Sequence, residues 1–392
     1  IHGDEFLHWL ETTDGFVIHP GDDGGLYYAV SDINGNLVAG NILAHTPEQR
    51  DQNEQSYINT LDKDLKFSKS QLAAAKEARA ARMKSDKAGA FPTTGINNLL
   101  MILVNFSDTS PTYTQTNFNN YMNQPGYNGI GSFKEYYYEN SYGQLTMNTT
   151  VTAWVTVSNT HNYYGQNDSQ GYDMYPQQLV YEAINLVDPV VNFSNFDNNS
   201  DGEVDGIAII HQGTGEEASS NAYDIWSHSW SIAGAYTPAQ CTKDGVLVYD
   251  YTIQPEVLSS VIYTGISTIG VMCHEFGHNL GAPDYYDTDY ATNGQFDGTG
   301  DWDLMGGGSW NYNSPNPPGS QPAHHNIYTK VFYGWISANE IFGPSTFSLA
   351  PTEATAKAYF YRTGTNNEYF MLENRVPSTS VFDAALPGQG ML

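Results

Sequence analysis

The sequence predicts an α+β protein, and three observations lead to this fold class. Short strand-like segments separated by turn residues fill residues 1–45. Continuous apolar runs typical of buried strands occupy residues 98–106 and 206–213. Helical apolar spacing followed by a closing glycine marks residues 132–143 and 267–281. Strand and helix patterns therefore coexist along the chain, as in an α+β fold.

The composition excludes several classes of protein. The 392 residues carry 43 acidic and 15 basic side chains, a formal net charge of −28, and such a field repels nucleic acid and anionic membranes. No apolar run approaches the roughly 20 residues that a membrane-spanning helix needs. The abundance of Gly, Asn, Thr and Tyr with little Lys suits an extracellular protein. We therefore expect a secreted or cell-surface monomer without a transmembrane segment.

Charge and pattern divide the chain into three predicted parts, residues 1–88, 89–337 and 338–392. The first part holds 9 of the 15 basic and 14 of the 43 acidic residues, so its net charge is −5, whereas the remaining 304 residues carry −23. Its strands give way to a basic helical pattern that ends in the small-residue joint AGAFPTTG. A basic helix beside such a joint is easily cut by proteases, although an ordinary interdomain linker is the alternative. The third part again has the pattern of short strands and turns.

The segment CHEFGHNLGAPD carries the strongest functional signal. His274 and His278 lie four residues apart, so on a helix both imidazoles face one side and can hold a zinc ion. Glu275 follows the first histidine and can act as general base at the open coordination position. Gly281 ends the helix, and Asp284 comes three residues later, placed to supply a third ligand. Three protein ligands leave one position for water, which predicts a catalytic zinc site.

These residues resemble the metzincins, whose HExxHxxGxxH or HExxHxxGxxD motif is followed by a methionine turn. The methionine would be Met305 in GDWDLMGGGSW, 21 residues after Asp284. The resemblance narrows to the immune inhibitor A family of secreted bacterial metalloproteases through five segments: HEFGHNLGAPDYYDTD, WDLMGGGSW, FMLENR, FDAALPGQGML and GDEFLHWLETTDG. It implies a secreted zinc endopeptidase that acts on protein or peptide substrates and is made as a latent precursor, with residues 1–88 as the prosegment.

The same resemblance implies a metzincin-like fold for residues 89–337. This fold has a twisted mixed sheet with a backing helix, a cleft and the active-site helix, and its edge strand lies antiparallel to an extended peptide. The segment GIAIIHQGTGEE would form this edge, or its apolar half would be a buried central strand. Because the family continues into a further strand, residues 338–392 would be the start of a truncated β-rich region.

A second metal signal is the segment DNNSDGEVD. Its oxygen donors match positions 1, 3, 5, 7 and 9 of a calcium loop, position 7 through its backbone carbonyl: Asp197, Asn199, Asp201, Glu203 and Asp205. Gly202 occupies the tight turn, but Ala208 replaces the bidentate glutamate of position 12, so another residue must complete the shell. The segment predicts a Ca²⁺ site, with a solvated Asp/Asn turn as the alternative.

The cysteines and the remaining histidines have two interpretations each. Cys241 and Cys273 would form a disulfide that braces the catalytic helix, because a lone pair in a secreted protein is usually bonded, or they are two buried free thiols. Four further histidines are expected to be structural rather than ligands: His211, His228, His324 and His325.

Latency would require a group that blocks the zinc, and residues 1–88 contain no cysteine. Some metzincin prosegments place the aspartate of a short Gly-Asp motif on the metal, and Gly3-Asp4 resembles that motif. His2 is a second candidate, and the alternative is that these residues only begin the first strand. Cleavage between Arg82 and Lys87 would then activate the enzyme.

Two other functions were weighed against a zinc endopeptidase. The first is a calcium-stabilised surface-binding protein with an inactive protease-like fold, which the intact Glu275 disfavours. The second is a different zinc hydrolase that acts on glycan-linked material, which only the many Tyr and Trp residues favour.

Overall fold

The computed structural model describes eleven stretches of the chain, and for residues 2–4, 7, 8 and 20 it describes the backbone alone. These stretches are residues 2–4, 7–21, 25–63, 65, 67–75, 91–168, 171–260, 262–287, 296–344, 346–365 and 368–392. Their architecture is mixed α/β, as the sequence predicts. No helix within these stretches is both long and apolar enough to cross a bilayer.

The N-terminal residues form an antiparallel sheet whose five strands follow chain order. The strands are β1 His2–Asp4, β2 Leu7–Glu11, β3 Val17–Pro20, β4 Leu26–Ser31 and β5 Leu37–Leu43. Helix α1 (Gln52–Ile58) begins after Asp51, whose carboxylate accepts the N–H of Glu54. Residues 69–75 are also helical, and the rest of the predicted basic helix and its joint, residues 76–90, lies outside the described residues. The buried Tyr28 donates a hydrogen bond to Glu54 (2.8 Å), so the sheet and α1 share a small core.

The second, larger sheet is mixed and has six strands. They are β6 Gly95–Asn105, β7 Leu145–Thr156, β8 Ile207–Thr214, β9 His228–Ser231, β12 Asp250–Ser259 and β13 Thr264–Ile266, in the order β13-β12-β8-β6-β7 with β9 also on β12. The strands β7, β6, β8 and β12 are parallel, and β9 and β13 run antiparallel to β12. Strand β8 is the middle strand, and its residues 207–211 pair with β6 on one side and β12 on the other. For this apolar half of GIAIIHQGTGEE the edge interpretation was wrong, and the central-strand alternative is confirmed.

Helices cover both faces of this sheet and create two cores. The helices are α2 Gln115–Asn123, α3 Phe133–Asn140, α4 His161–Gly165, α5 Pro176–Val187, α6 Glu216–Ser219, α7 Pro238–Cys241, α8 Ile269–Asn279 and α9 Ile327–Phe332. Alternate residues of β6 divide between the cores, because successive side chains of a strand point to opposite faces. Leu99, Met101 and Leu103 pack with α2, α3 and α8, whereas Leu100, Ile102 and Val104 pack with α5.

The two cysteines lie on opposite sides of the larger sheet. Cys273 belongs to the core that contains α8, and Cys241 to the core that contains α5. Both are buried and free, so the disulfide is not formed and the free-thiol alternative is the one observed. The reason is topological, since the sheet itself separates the two thiols.

The C-terminal residues form short strands that pack against the preceding domain. Strands β14 Ala338–Glu340, β15 Ala358–Arg362 and β16 Tyr369–Leu372 make one sheet, and β17 Asn374–Arg375 pairs with β18 Gly390–Met391. Strands β10 Thr242–Lys243 and β11 Val246–Leu247 form a separate small hairpin. Phe382 enters the core around α8, with its ring centroid 5.3 Å from that of Tyr136. Residues 338–392 therefore share a core with the residues before them.

Candidate metal centre and active site

Helix α8 is buried and held in place by aromatic side chains. The ring of Phe276 contacts those of Phe91, Phe133 and Tyr137, with centroids 4.9–5.2 Å apart. The hydroxyl of Tyr137 donates to the carbonyl of Cys273 (2.6 Å), and the hydroxyl of Tyr333 donates to the carbonyl of Gly277 (2.8 Å). A helix fixed by this packing is a rigid support for the side chains on its other face.

The three predicted zinc ligands come together at this helix. His274 Nε2 lies 3.1 Å and His278 Nε2 lies 3.3 Å from the same oxygen, Asp284 Oδ1. His274 Nδ1 is 2.9 Å from the carbonyl of Leu304, and His278 Nδ1 is 2.8 Å from the carbonyl of Ala282. A carbonyl can only accept a hydrogen bond, so each Nδ1 carries a proton, and it is Nε2 that each ring would offer to a metal once its own proton is lost. Within the described residues, no other three His, Cys, Asp or Glu side chains converge as closely.

The turn after α8 brings Asp284 back to the two histidines. Gly281 adopts φ +97°, and its N–H bonds to the carbonyl of His278 (2.8 Å). The N–H of Ala282 bonds to the carbonyl of Gly277 (3.0 Å), which completes a Schellman motif. Glycine at 281 is required because a left-handed backbone strains any residue with a Cβ. The sequence prediction that this glycine ends the helix is confirmed.

Glu275 lies on the same helix, where a general base of the metal site is expected. Its side chain is buried, with 5% of its surface exposed, and its Oε2 has no hydrogen-bond partner. A buried carboxylate oxygen without a partner is costly unless it serves a ligand or a reaction. Asp284 Oδ1 is likewise buried without a hydrogen bond. Both oxygens are therefore available, one to a metal and one to a proton.

The carboxylates of the site favour positive charge on His274, where a bound metal ion would replace the proton. Burial lowers the pKa of His274, but the neighbouring Asp284 and Glu275 carboxylates raise it, and the result is about 9. Burial raises the pKa of Asp284, but the contacts with His278 and His274 hold it well below its usual value. Two imidazole nitrogens and one carboxylate oxygen are the donors that Zn²⁺ accepts, so these residues fit a zinc ion.

Met305 lies beneath α8 in the turn that the sequence predicted. A Cβ at position 277 would lie only 2.6 Å from Met305 Sδ, so Gly277 allows the fully buried methionine to approach the helix backbone. The carbonyl of Met305 accepts the N–H of Tyr285 (2.9 Å), the residue after Asp284. The turn thus contacts α8 on one side and Tyr285, which follows the predicted ligand Asp284, on the other.

The predicted calcium residues form a tight turn in which the carboxylates accept backbone hydrogen bonds. Asp197 accepts the N–H groups of Asp201 and Gly202, and Asp201 accepts that of Glu203. Asn199 Oδ1 also accepts the N–H of Asp201 (2.9 Å). Burial, together with the charges of Asp201 and Asp197, raises the pKa of Asp205 to about 6 against the effect of Asn198. In the described residues the loop's carboxylates do not converge as the zinc ligands do.

The remaining predicted residues have the following places. The backbone of Asp4 lies in β1 opposite Leu7, and its side chain lies outside the described residues. His228 bonds to the carbonyl of Trp226 and to the hydroxyl of Tyr251, as a structural histidine would. The other three histidines expected to be structural are fully buried and are not part of the zinc-ligand group: His211, His324 and His325.

Sequence reasoning missed the backbone partners of the ligands. The carbonyls of Leu304 and Ala282 orient the two histidines. Every residue has a backbone carbonyl, so the residue types could not indicate these partners. Gly277 was visible inside the motif as a glycine in the middle of a helix. Such a residue lowers helix stability and indicates close packing, which is the role it has here.

A buried helix that carries two histidines and a glutamate, with an aspartate closing the donor set, is typical of a metallopeptidase catalytic domain. Comparison with known families gives the same class of protein. The model of the immune inhibitor A peptidase M6 catalytic domain matches residues 103–336. This match spans more than half of the chain, and the chain belongs to the immune inhibitor A peptidase M6 family.

The chain is also similar to two curated proteins. The chain is 32% identical over 243 residues to Immune inhibitor A of Bacillus thuringiensis subsp. alesti, covering 54% of this chain and 34% of that protein. It is 28% identical over 317 residues to the Pre-pro-metalloprotease PrtV of Vibrio cholerae serotype O1, covering 73% of this chain and 31% of that protein. The chain thus spans about a third of the length of these relatives.

Proposed function

We propose that this protein is a secreted zinc-dependent endopeptidase of metzincin-like architecture. The observation that carries the proposal is the convergence of His274 Nε2, His278 Nε2 and Asp284 Oδ1 beside the buried Glu275. Membership of the M6 peptidase family supports peptide hydrolysis, and the donor set supports zinc. The abundance of Gly, Asn, Thr and Tyr with little Lys suits secretion.

Each residue around the predicted metal site has its own role in the proposed reaction. Zinc held by His274, His278 and Asp284 would supply Lewis acidity toward a water molecule and the substrate carbonyl. Glu275 accepts the proton of the attacking water and later delivers it to the leaving amine, as a carboxylate that is free of other hydrogen bonds can. The carbonyls of Leu304 and Ala282 keep each histidine in the tautomer that presents Nε2. Met305 supports the helix from below.

We further propose that the chain is a latent precursor with a calcium-stabilised catalytic domain. Residues 1–88 would be the prosegment, residues 89–337 the catalytic domain and residues 338–392 a β-rich region. The separate core of the N-terminal sheet supports a removable unit, and a relative is named as a pre-pro-metalloprotease. Asp4 would block the zinc. The loop 197–205 would bind Ca²⁺, because its Asp and Asn oxygens are ordered by the loop backbone.

The test of the enzymatic proposal is Glu275→Gln in the proteolytically processed protein. The variant should keep one equivalent of zinc and lose peptidase activity by about 10²–10⁴-fold, the usual contribution of general acid–base catalysis. Glu368→Gln, an exposed change of the same chemistry, should leave both quantities unchanged. Zinc is measured by elemental analysis and activity with a peptide library. Full activity in Glu275→Gln, or a wild-type protein without zinc, would refute the proposal.

A further inference from the structure

A buried ion pair anchors the C-terminal region to the domain that holds the metal site. Arg375 is 1% exposed, and its guanidinium contacts both carboxylate oxygens of Asp383 at 2.7 and 3.2 Å. Glu353 lies 3.4 Å and Glu373 lies 3.6 Å from the same guanidinium. A buried arginine is stable only with such partners, so the pair fixes Asp383 firmly in the interior.

Asp383 is also the first member of a chain of hydrogen bonds that ends at a predicted zinc ligand. Its Oδ1 accepts the backbone N–H of His324 at 2.7 Å. The carbonyl of His324 accepts the N–H of Leu304 at 3.3 Å, and the carbonyl of Leu304 is 2.9 Å from His274 Nδ1. Three successive hydrogen bonds therefore connect the carboxylate of Asp383 with the imidazole of His274. Asp383, His324 and Leu304 are all fully buried.

The backbone around His324 is held from other directions as well. Asp303 accepts the N–H of Asn326 (2.9 Å), and Asn140 accepts the N–H of His325 (3.0 Å). Arg375 Nη1 donates to the carbonyl of Trp302 (3.0 Å), two residues before Leu304. The Arg375–Asp383 ion pair thus contacts two segments, one at His324 and one at Trp302. The relative position of these segments determines where the Leu304 carbonyl points.

We propose that Asp383 is a positioning residue for the zinc ligand His274, which it orients through His324 and Leu304. The inference rests on the proposed zinc site and adds that the C-terminal region is part of its support. Groups that orient a metal-bound histidine usually change metal affinity or activity by 10–100-fold when they are altered. The only described path from Asp383 to His274 is the backbone of His324 and Leu304, so loss of the carboxylate should change the position of the ligand and appear in metal binding.

The test compares Asp383→Asn with Glu353→Gln in the full chain. Both changes remove a carboxylate near Arg375, but the Glu353 carboxylate accepts the N–H of Val376 (2.8 Å) and has no bond to the His324 segment. The zinc dissociation constant is measured by competition with a chromophoric chelator, and the ligand geometry by the absorption spectrum of the Co²⁺ form. Asp383→Asn should weaken zinc by about 10-fold and shift the Co²⁺ spectrum, and Glu353→Gln should stay within about twofold of wild type.

A metal-free measurement separates this inference from the proposed function. Hydrogen exchange of the peptide that contains Leu304 should be faster in metal-free Asp383→Asn than in metal-free Glu353→Gln, because the acceptor that orders this segment has changed. Asp383→Glu, which keeps the charge beside Arg375 and displaces the acceptor by one methylene, replaces Asp383→Asn if that variant does not fold. Equal exchange, or equal zinc affinity in a protein that binds zinc, overturns the positioning role. A wild type that binds no zinc overturns the proposed function, and the exchange result still decides whether the hydrogen-bond chain exists.

Discussion

The contact between Gly277 and Met305 predicts a specific energetic coupling between the active-site helix and the turn beneath it. A Cβ added at position 277 would lie 2.6 Å from Met305 Sδ and 3.4 Å from its Cε. Non-bonded atoms of this kind normally rest at roughly 3.5–4.0 Å. Gly277→Ala therefore forces the fully buried Met305 to move by about 1 Å.

The magnitude for Gly277→Ala follows from two opposing effects. Overpacking costs about 1–3 kcal/mol, and the higher helix propensity of alanine offsets about 1 kcal/mol, so Gly277→Ala should lower the free energy of unfolding by about 1 kcal/mol. Met305→Ala removes a buried side chain and should cost about 2–5 kcal/mol. In the double variant the new methyl group occupies space that Sδ has vacated. The double variant should therefore lose about 1–2 kcal/mol less than the two single changes together.

The assay is urea unfolding of wild type, both single variants and the double variant at one fixed zinc concentration. A second cycle that combines Gly277→Ala with Met122→Ala is the control, because Met122 is an equally buried methionine on α2. That cycle should be additive within about 0.5 kcal/mol. If the Met305 cycle is additive to the same degree, the close contact between helix and turn does not exist in solution and the support assigned to Met305 is wrong.

Three further predictions concern pH, calcium and latency. Burial and the neighbouring His161 lower the pKa of His211 to about 3, whereas an unfolded histidine titrates near 6.5. The stability that this neutral imidazole contributes is present above about pH 6.5 and is lost as the pH falls toward 3. Between pH 7.5 and 5 the free energy of unfolding, measured with urea, should therefore fall by about 2 kcal/mol less in His211→Gln than in wild type. Asp201→Ala should remove one calcium equivalent and lower Tm while zinc content stays constant, and unchanged calcium content and Tm would contradict the loop assignment. Asp4→Ala should give the uncut chain peptidase activity that uncut wild type lacks, in an assay before and after limited proteolysis, and an equally latent variant would exclude Asp4 as the switch.

The sequence alone determined the parts of the site that depend on local geometry. Helical periodicity places His274 and His278 on one face whatever the rest of the chain does, and Gly281 permits the left-handed turn that returns Asp284. The apolar runs at 98–106 and 206–213 predict buried strands, and β6 and β8 confirm this prediction. These features involve residues within about ten positions of each other, so their spacing was sufficient to predict them.

Tertiary structure decided what depends on residues far apart in the chain. Spacing could not tell whether β8 lies at the edge or in the middle of its sheet, since that depends on which strands pair with it. It could not place Cys241 and Cys273 on opposite faces of that sheet. The connection from Asp383 to His274 passes through backbone groups. Every residue possesses such groups, so the residue types could not predict the connection. Local patterns specify elements and short motifs, whereas pairing order and backbone hydrogen bonds between distant segments arise only when the whole chain packs.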